Sequence, residues 1–274
     1  MSEHRSPERA GGARAADPSS ADPGGTDLAT ALTGVAARRP LLVVTDFDGT
    51  LSAIVADPGA AQLVAGAQRI LLRLAAYPGV VVAVMSGRGH DDLAERVGRN
   101  PEIFLIGSHG AEYGGPADPS LVGRRDALVA ELRAVLVPYE RAFLEIKPVS
   151  ASVHTRRMAD REAAVAVREA TIAGPGASKG RTVKVGKEVV EIAVVGADKG
   201  VALRRLADQV GAASIVYLGD DLTDEDAFAV LGPEDVGIKV GAGPTAAGYR
   251  VTDSAAVLEV LDHLAEFLRV SDPR

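Results

Sequence analysis

Cysteine is absent from the 274 residues, which excludes disulfides and any metal site built on thiolates. No apolar run reaches the roughly 18 to 20 residues that a membrane span needs. The N-terminal stretch lacks the apolar core of a secretory signal. A cytoplasmic protein without membrane partners is therefore the expectation. Runs of basic residues are missing as well, and 30 Lys and Arg against 37 Asp and Glu leave a net charge of −7, which argues against nucleic acid as a partner. Lysine itself is scarce, and Lys147, Lys179, Lys184, Lys187 and Lys199 cluster between 147 and 199 while arginine serves elsewhere. A lysine in this chain reads as a specific choice. What remains, 47% hydrophobic and 24% charged residues, is ordinary for a globular protein.

Residues 1–38 are rich in Ala, Gly, Pro, Ser and Asp, and their composition predicts a disordered tail with at most a helical turn over 28–35. From Leu41 the pattern changes. Leu41-Leu42-Val43-Val44 is a continuous apolar run that stops at a carboxylate, as in a strand buried on both faces of a parallel sheet. A helix is predicted over 62–76, a strand over 80–85, a helix over 91–97 and a strand over 103–106. This alternation predicts an α/β fold with a doubly wound, Rossmann-like parallel sheet. The middle reads differently: helix 124–136, strands 143–147 and 151–155, helix 160–172, then strands 182–185 and 189–194 about a Gly186-Lys187 turn. That α-β-β-α-β-β order predicts a separately packed insertion. The larger fold resumes with a helix from Lys199 to about 210, a strand at 215–218, a helix at 224–231, a strand at 236–240 and a closing helix over 255–268.

Chemistry concentrates where buried strands end. Asp46-Phe47-Asp48-Gly49-Thr50 follows the first strand, at the edge where parallel sheets bind ligands. Carboxylates this close need a cation or must share a proton. Gly219-Asp220-Asp221-Leu222-Thr223-Asp224 follows a later strand and adds oxygen ligands of the kind magnesium takes. Helix capping explains Thr223 or Asp224 but not consecutive acids at a buried strand's end. Ser86-Gly87-Arg88, after the second strand, offers a hydroxyl and backbone amides. Lys199-Gly200 opens a helix, a poor place for a cation unless it holds an anion.

These four segments, in this order and each at an element boundary, resemble the motifs of haloacid dehalogenase superfamily phosphatases, and the insertion resembles their C2B-type cap. The resemblance implies a catalytic core at 39–116 and 194–274 with a cap at 117–193. It makes Asp46 the nucleophile that takes the phosphoryl group and Asp48 the acid and then base, its proton favoured by neighbouring anions. Magnesium would be the cofactor, held by the Asp46 carboxylate, the Asp48 carbonyl and Asp220, with Asp221 and Asp224 as outer support or an additional ligand. Thr50, Ser86, Gly87 and Lys199 would bind the phosphoryl oxygens.

Three further segments narrow the substrate. Gly107-Ser108-His109-Gly110-Ala111-Glu112, the strand pair carrying Glu145, Lys147, Ser152, His154 and Arg156, and Gly186-Lys187-Glu188-Val189-Val190-Glu191 together resemble trehalose-6-phosphate phosphatases. Alternate residues of a strand share a face, so Glu145 with Lys147, and Ser152 with His154 and Arg156, make a polar surface fit for sugar hydroxyls. By resemblance, Arg88, His109, Glu112, Glu145, Lys147, His154, Arg156, Lys187 and Glu191 bind the sugar phosphate. The expected activity is hydrolysis of trehalose 6-phosphate by a monomer. One departure stands out: where many relatives follow the last glutamate with a basic residue and proline, Glu191 is followed by Ile192-Ala193-Val194. Phosphatases of sucrose phosphate or mannosyl-3-phosphoglycerate remain alternatives, as does a phosphosugar mutase. A non-catalytic sensor is disfavoured, because it would not need both Asp46 and Asp48.

Overall fold

The computed structural model describes residues 26–55 and 57–271. Its larger sheet has the order β11-β10-β9-β1-β2-β3-β4. The strands are β1 (Leu41–Thr45), β2 (Val80–Met85), β3 (Ile103–Gly107), β4 (Glu112–Tyr113), β9 (Ser214–Gly219), β10 (Val236–Val240) and β11 (Tyr249–Val251). All neighbours pair parallel except β3 and β4. The chain leaves β1 towards β2 on one side and returns to β9 on the other, so the strand order reverses between β1 and β9. In parallel sheets that reversal opens a crevice beyond the strand ends.

Every residue of β1 is buried, and its side chains alternate between two cores. Leu41 and Val43 join α1 (Thr26–Ala36), α2 (Ala67–Ala75), α3 (His90–Val97) and α8 (Ser254–Ser271) on one face. Leu42 and Val44 join α6 (Lys199–Val210) and α7 (Leu222–Phe228) on the other. Burial on both faces is why the strand reads as an unbroken apolar run.

The insertion forms a second, antiparallel sheet in the order β5-β6-β8-β7. Its strands are β5 (Phe143–Ile146), β6 (Ser150–His154), β7 (Thr182–Gly186) and β8 (Val189–Ala193). One sheet face, with Ala151, Val153, Val190 and Ile192, packs on α4 (Pro119–Leu136), with α5 (Arg161–Ala173) beside it. Cross-strand register puts Glu145 opposite Ser152, Ser152 opposite Glu191, and Glu191 opposite Lys184, all on the other face.

Several expected boundaries move. Within the expected disordered tail, residues 26–36 form α1, because Leu28, Leu32 and Val35 recur at helical spacing and bury against the core next to α8. Residues 1–25 of that expectation lie outside the described residues. The predicted helix at 62–76 starts only at Ala67, since Gly66 takes a left-handed φ of 95° and Leu63 instead bridges to Ser52. Helix α4 begins at Pro119, five residues earlier than predicted, because Asp118 accepts from the Ser120 N–H at its N-cap. The α7 helix is capped by Asp221, with Asp224 accepting from the Asp221 N–H at 3.0 Å. Thus Asp221, and neither Thr223 nor Asp224, holds the N-cap position.

Candidate active site

Asp46 is placed by the sheet itself. Its N–H donates to the Leu218 carbonyl at 2.8 Å, extending the β1–β9 ladder by one residue before the chain turns. Lys199, the first residue of α6, reaches back so that Nζ lies 2.7 Å from Asp46 Oδ1 and 2.7 Å from Asp224 Oδ1. Asp220 completes an acidic group in which one carboxylate oxygen each from Asp46, Asp220 and Asp224 lies within 4.8 Å of the others. Gly49 makes this approach possible: it has φ 75°, and a Cβ there would sit 2.0 Å from Asp220 Oδ2.

The Lys199 ammonium thus bonds two of the three clustered carboxylates. Burial, only partly offset by Lys199 and then reinforced by Asp224, pushes the Asp46 carboxyl up to about 8. Burial, then Asp224 and Asp221, lifts Asp220 to about 6. Burial works against the Lys199 charge, but Asp46 and Asp224 outweigh it and keep the ammonium protonated. Tyr217, fully buried in β9, donates its hydroxyl to Asp224 Oδ1 at 2.7 Å. Asp224 is therefore saturated by Lys199, Tyr217 and the Asp221 N–H. In contrast, the Asp220 carboxylate accepts no hydrogen bond among the described residues, so Asp46 and Asp220 are the groups left needing a cation. An all-oxygen set of two such carboxylates fits magnesium better than a softer metal.

Asp48 departs from expectation. Its nearest ionic partner is a cation: Arg88 Nε and Nη2 each lie 2.7 Å from one of its oxygens, a bidentate pair. Arg88 Nη1 reaches Asp92 Oδ2 at 2.9 Å, and Asp92 in turn accepts from Arg96 Nε at 2.9 Å. The Ser86-Gly87-Arg88 loop is bound to the Ser108-His109 loop by two backbone bonds, Ser108 N–H to Arg88 O at 2.7 Å and His109 N–H to Ser86 O at 2.9 Å. Ser108 and His109 both take left-handed φ values, 49° and 54°, an arrangement that costs non-glycine residues about 1–3 kcal/mol each. Glu112 helps to hold it, accepting from Ser108 Oγ at 2.6 Å and the His90 N–H at 3.0 Å. Burial, with Lys199 next, depresses His109 to about 4, so its ring is neutral near pH 7.

A cleft of about 670 Å³ opens between the two sheets. It is lined from the core by Asp46, Asp48, Ser86, Gly87, Arg88, His109, Lys199, Asp220 and Asp221, and from the cap by Glu145 and Lys147. A smaller neighbouring pocket joins His109 and Lys147 to Glu191, whose oxygens accept from Lys147 Nζ at 2.9 Å and Ser150 Oγ at 2.7 Å. His154 pairs with Glu145 at 2.9 Å. Other expected site residues stand apart. Thr50 is fully buried, and its hydroxyl has no partner among the described residues. Glu112 is buried with both oxygens accepting protein hydrogen bonds. Arg156 lies beyond the end of β6 and pairs with Glu188 at 3.6 Å, and Lys187 occupies the turn between β7 and β8.

Several contributors are absent from the expected set. Tyr217 was hidden as one aromatic in an apolar strand. Asp92 carries a readable signal, the i, i+4 spacing to both Arg88 and Arg96. Lys184 shares the polar cap face, and Ile54 and Val55 line the cleft as exposed apolar residues.

The trehalose-phosphatase family model matches residues 44–255, which span both sheets. The chain belongs to the trehalose-phosphatase family. A trehalose-phosphate phosphatase of Mycobacterium tuberculosis (strain H37Rv) is 41% identical over 258 residues, an alignment covering 86% of this chain and 64% of that protein. The chain thus spans under two thirds of the length of that curated relative. A trehalose-6-phosphate phosphatase of Aspergillus fumigatus superposes with a TM-score of 0.68 at 28% identity, covering 89% of this chain and 99% of that one. A haloacid dehalogenase-like hydrolase of Bacteroides thetaiotaomicron shares the fold at 18% identity, with a TM-score of 0.55 over 82% of this chain and 99% of its own. Among the described residues, no helix of the trehalose-phosphatase-family chain is long and apolar enough to cross a membrane.

Proposed function

We propose that the chain hydrolyses trehalose 6-phosphate to trehalose and phosphate through an aspartyl-phosphate on Asp46. The observation that carries this reading is the Asp46 carboxylate at the sheet's reversal point, paired with Lys199 through Oδ1 alone and facing a cleft whose far wall is the polar cap sheet. Oδ2 is left to attack phosphorus. As the bond from Asp46 to phosphorus forms, the bond to the sugar oxygen breaks and Asp48 supplies that oxygen's proton. Water then attacks the phosphoryl group, Asp48 takes its proton, and Asp46 is released. For this, Asp48 must leave its pair with Arg88, and the incoming phosphate is a competing bidentate anion for that guanidinium. Ser86 and Lys199, both on the cleft wall, hold phosphoryl oxygens, with the amide of Gly87. The unpartnered Thr50 hydroxyl is a further donor.

Asp46, the Asp48 carbonyl and Asp220 would hold magnesium, with Asp224 and Asp221 behind them. Bound there, the ion neutralises charge on the nucleophile and on the phosphoryl oxygens. The sugar would lie against Glu145, Lys147, His154, Glu191 and His109. Core segments 39–116 and 194–274 with a cap at 117–193 are the corresponding domains; the apolar cluster around the smaller sheet centres on that cap and extends to Ala111 and Val195 at its borders.

Phosphate release from a panel of sugar phosphates with magnesium tests the reading. Trehalose 6-phosphate should be preferred over glucose 6-phosphate, sucrose phosphate and mannosyl-3-phosphoglycerate. A strong preference for glucose 6-phosphate would overturn the substrate, and isomerisation without free phosphate would overturn the reaction.

A further inference from the structure

Lys239 is the sixth lysine of a chain that uses few, and the only charged residue of β10. Its residue is 4% exposed, in a strand whose five members are all buried. A buried ammonium needs partners. Lys239 stands in register with Gly219, the last residue of β9, and Nζ donates to the carbonyl of the next residue, Asp220. Nζ also lies 3.9 Å from Glu225 Oε1, an oxygen that is buried and has no hydrogen-bond partner. The other Glu225 oxygen accepts from the Ala246 N–H at 2.8 Å and from Thr245 Oγ1 at 3.2 Å. One lysine thus joins the backbone of the Asp220 turn to a glutamate on α7 that also fastens the 245–246 loop.

We propose that Lys239 is a positioning residue for the metal site: by holding the Asp220 carbonyl from below, it fixes the turn after β9 so that the Asp220 carboxylate faces Asp46. This rests on Asp220 being a magnesium ligand. The capping exchange between Asp221 and Asp224 holds the next residue of the turn, but among the described residues Lys239 gives the only side-chain hydrogen bond to Asp220 itself, whose carboxylate accepts none. Magnesium requires near-ideal octahedral geometry at about 2.0–2.1 Å, so a shifted carboxylate is a lost ligand. Charge and position make opposite predictions. Removing a positive charge beside three carboxylates would, by electrostatics alone, tighten cation binding, and only a displaced Asp220 would weaken it.

The test compares magnesium binding by calorimetry to substrate-free protein. Lys239→Met alone would leave Glu225 buried without its cation and could unfold the chain for that reason. The informative pair is therefore Glu225→Gln and Lys239→Met/Glu225→Gln, which both lack the ion pair and differ only in the lysine. Glu225→Gln should bind magnesium much as the unaltered chain does. The double variant should bind about 10–100-fold more weakly, the usual cost of losing outer support for a metal ligand, while its circular dichroism and unfolding temperature match those of Glu225→Gln. Equal or tighter binding by the double variant, or an equal loss in Glu225→Gln, overturns the positioning role. If the unaltered chain itself binds no magnesium, the metal reading falls and this inference with it.

Discussion

The ionisation of Asp46 depends on what balances it. In the metal-free chain, Asp46 keeps a proton between its ordinary 3.8 and about 8 that the unfolded chain has already lost. That group therefore stabilises the fold at low pH, and the contribution is lost as pH rises. Asp220 acts in the same sense between 3.8 and about 6. His109 acts oppositely: lowered from 6.5 to about 4, it binds its proton in the unfolded chain first, so its contribution grows as pH rises to about 6.5. Above that point, Asp46 alone of the three still titrates differently in the two states. The metal-free unfolding temperature should fall from pH 6.5 to 8, and magnesium should restore it. In Asp46→Asn the fall should vanish, because the titrating group is gone. Turnover should drop roughly 10⁴-fold or more, as when a nucleophile is removed, with the circular dichroism spectrum unchanged. An unaltered pH slope in the variant would show that another group carries it, and retained turnover would remove Asp46 from the chemistry.

Elements were legible in the sequence in proportion to how local their cause is. Strand β1 and its terminal acid were readable because burial on both faces writes a continuous apolar run, and Gly49 marks the turn where Asp220 must approach. The cap hairpins were readable from alternation and from the Gly186-Lys187 turn. Strands β4 and β11 were not, since two and three residues carry no period. Nor was the bidentate Asp48–Arg88 pair, which forms between two loops 40 residues apart. Helix α1 was legible only as at most a helical turn over 28–35, because its reason lies far along the chain: three apolar residues in an Ala- and Gly-rich stretch mean little until α8 offers its apolar face. Leu32 is 2% exposed in that contact. Leu32→Ala should therefore destabilise the protein by about 2–4 kcal/mol, the cost of a cavity in a packed core, measured by denaturant unfolding. A loss within about 0.5 kcal/mol, as for a surface position, would mean that α1 is not part of the core.

The two sheets have separate apolar clusters and both line the cleft, which lets the proposed reaction divide its labour between them. In the proposed reaction the core carries every group used for phosphoryl transfer, and the cap carries charged groups that no part of that chemistry requires. Lys147 is the clearest of these: it belongs to the cap, lines both the cleft and the smaller pocket, and is held by Glu191 at 2.9 Å. If the cap recognises the sugar, removing that ammonium should cost binding and spare chemistry. A hydrogen bond to a charged group contributes about 1.5–3 kcal/mol, so Lys147→Met should lower kcat/KM for trehalose 6-phosphate by about 10-fold or more. Hydrolysis of p-nitrophenyl phosphate, which offers the core a phosphate and the cap no sugar, should hardly change. Comparable losses on both substrates would mean that Lys147 acts through the core or the fold. The division between a phosphate-transferring sheet and a sugar-reading sheet would then have to be abandoned.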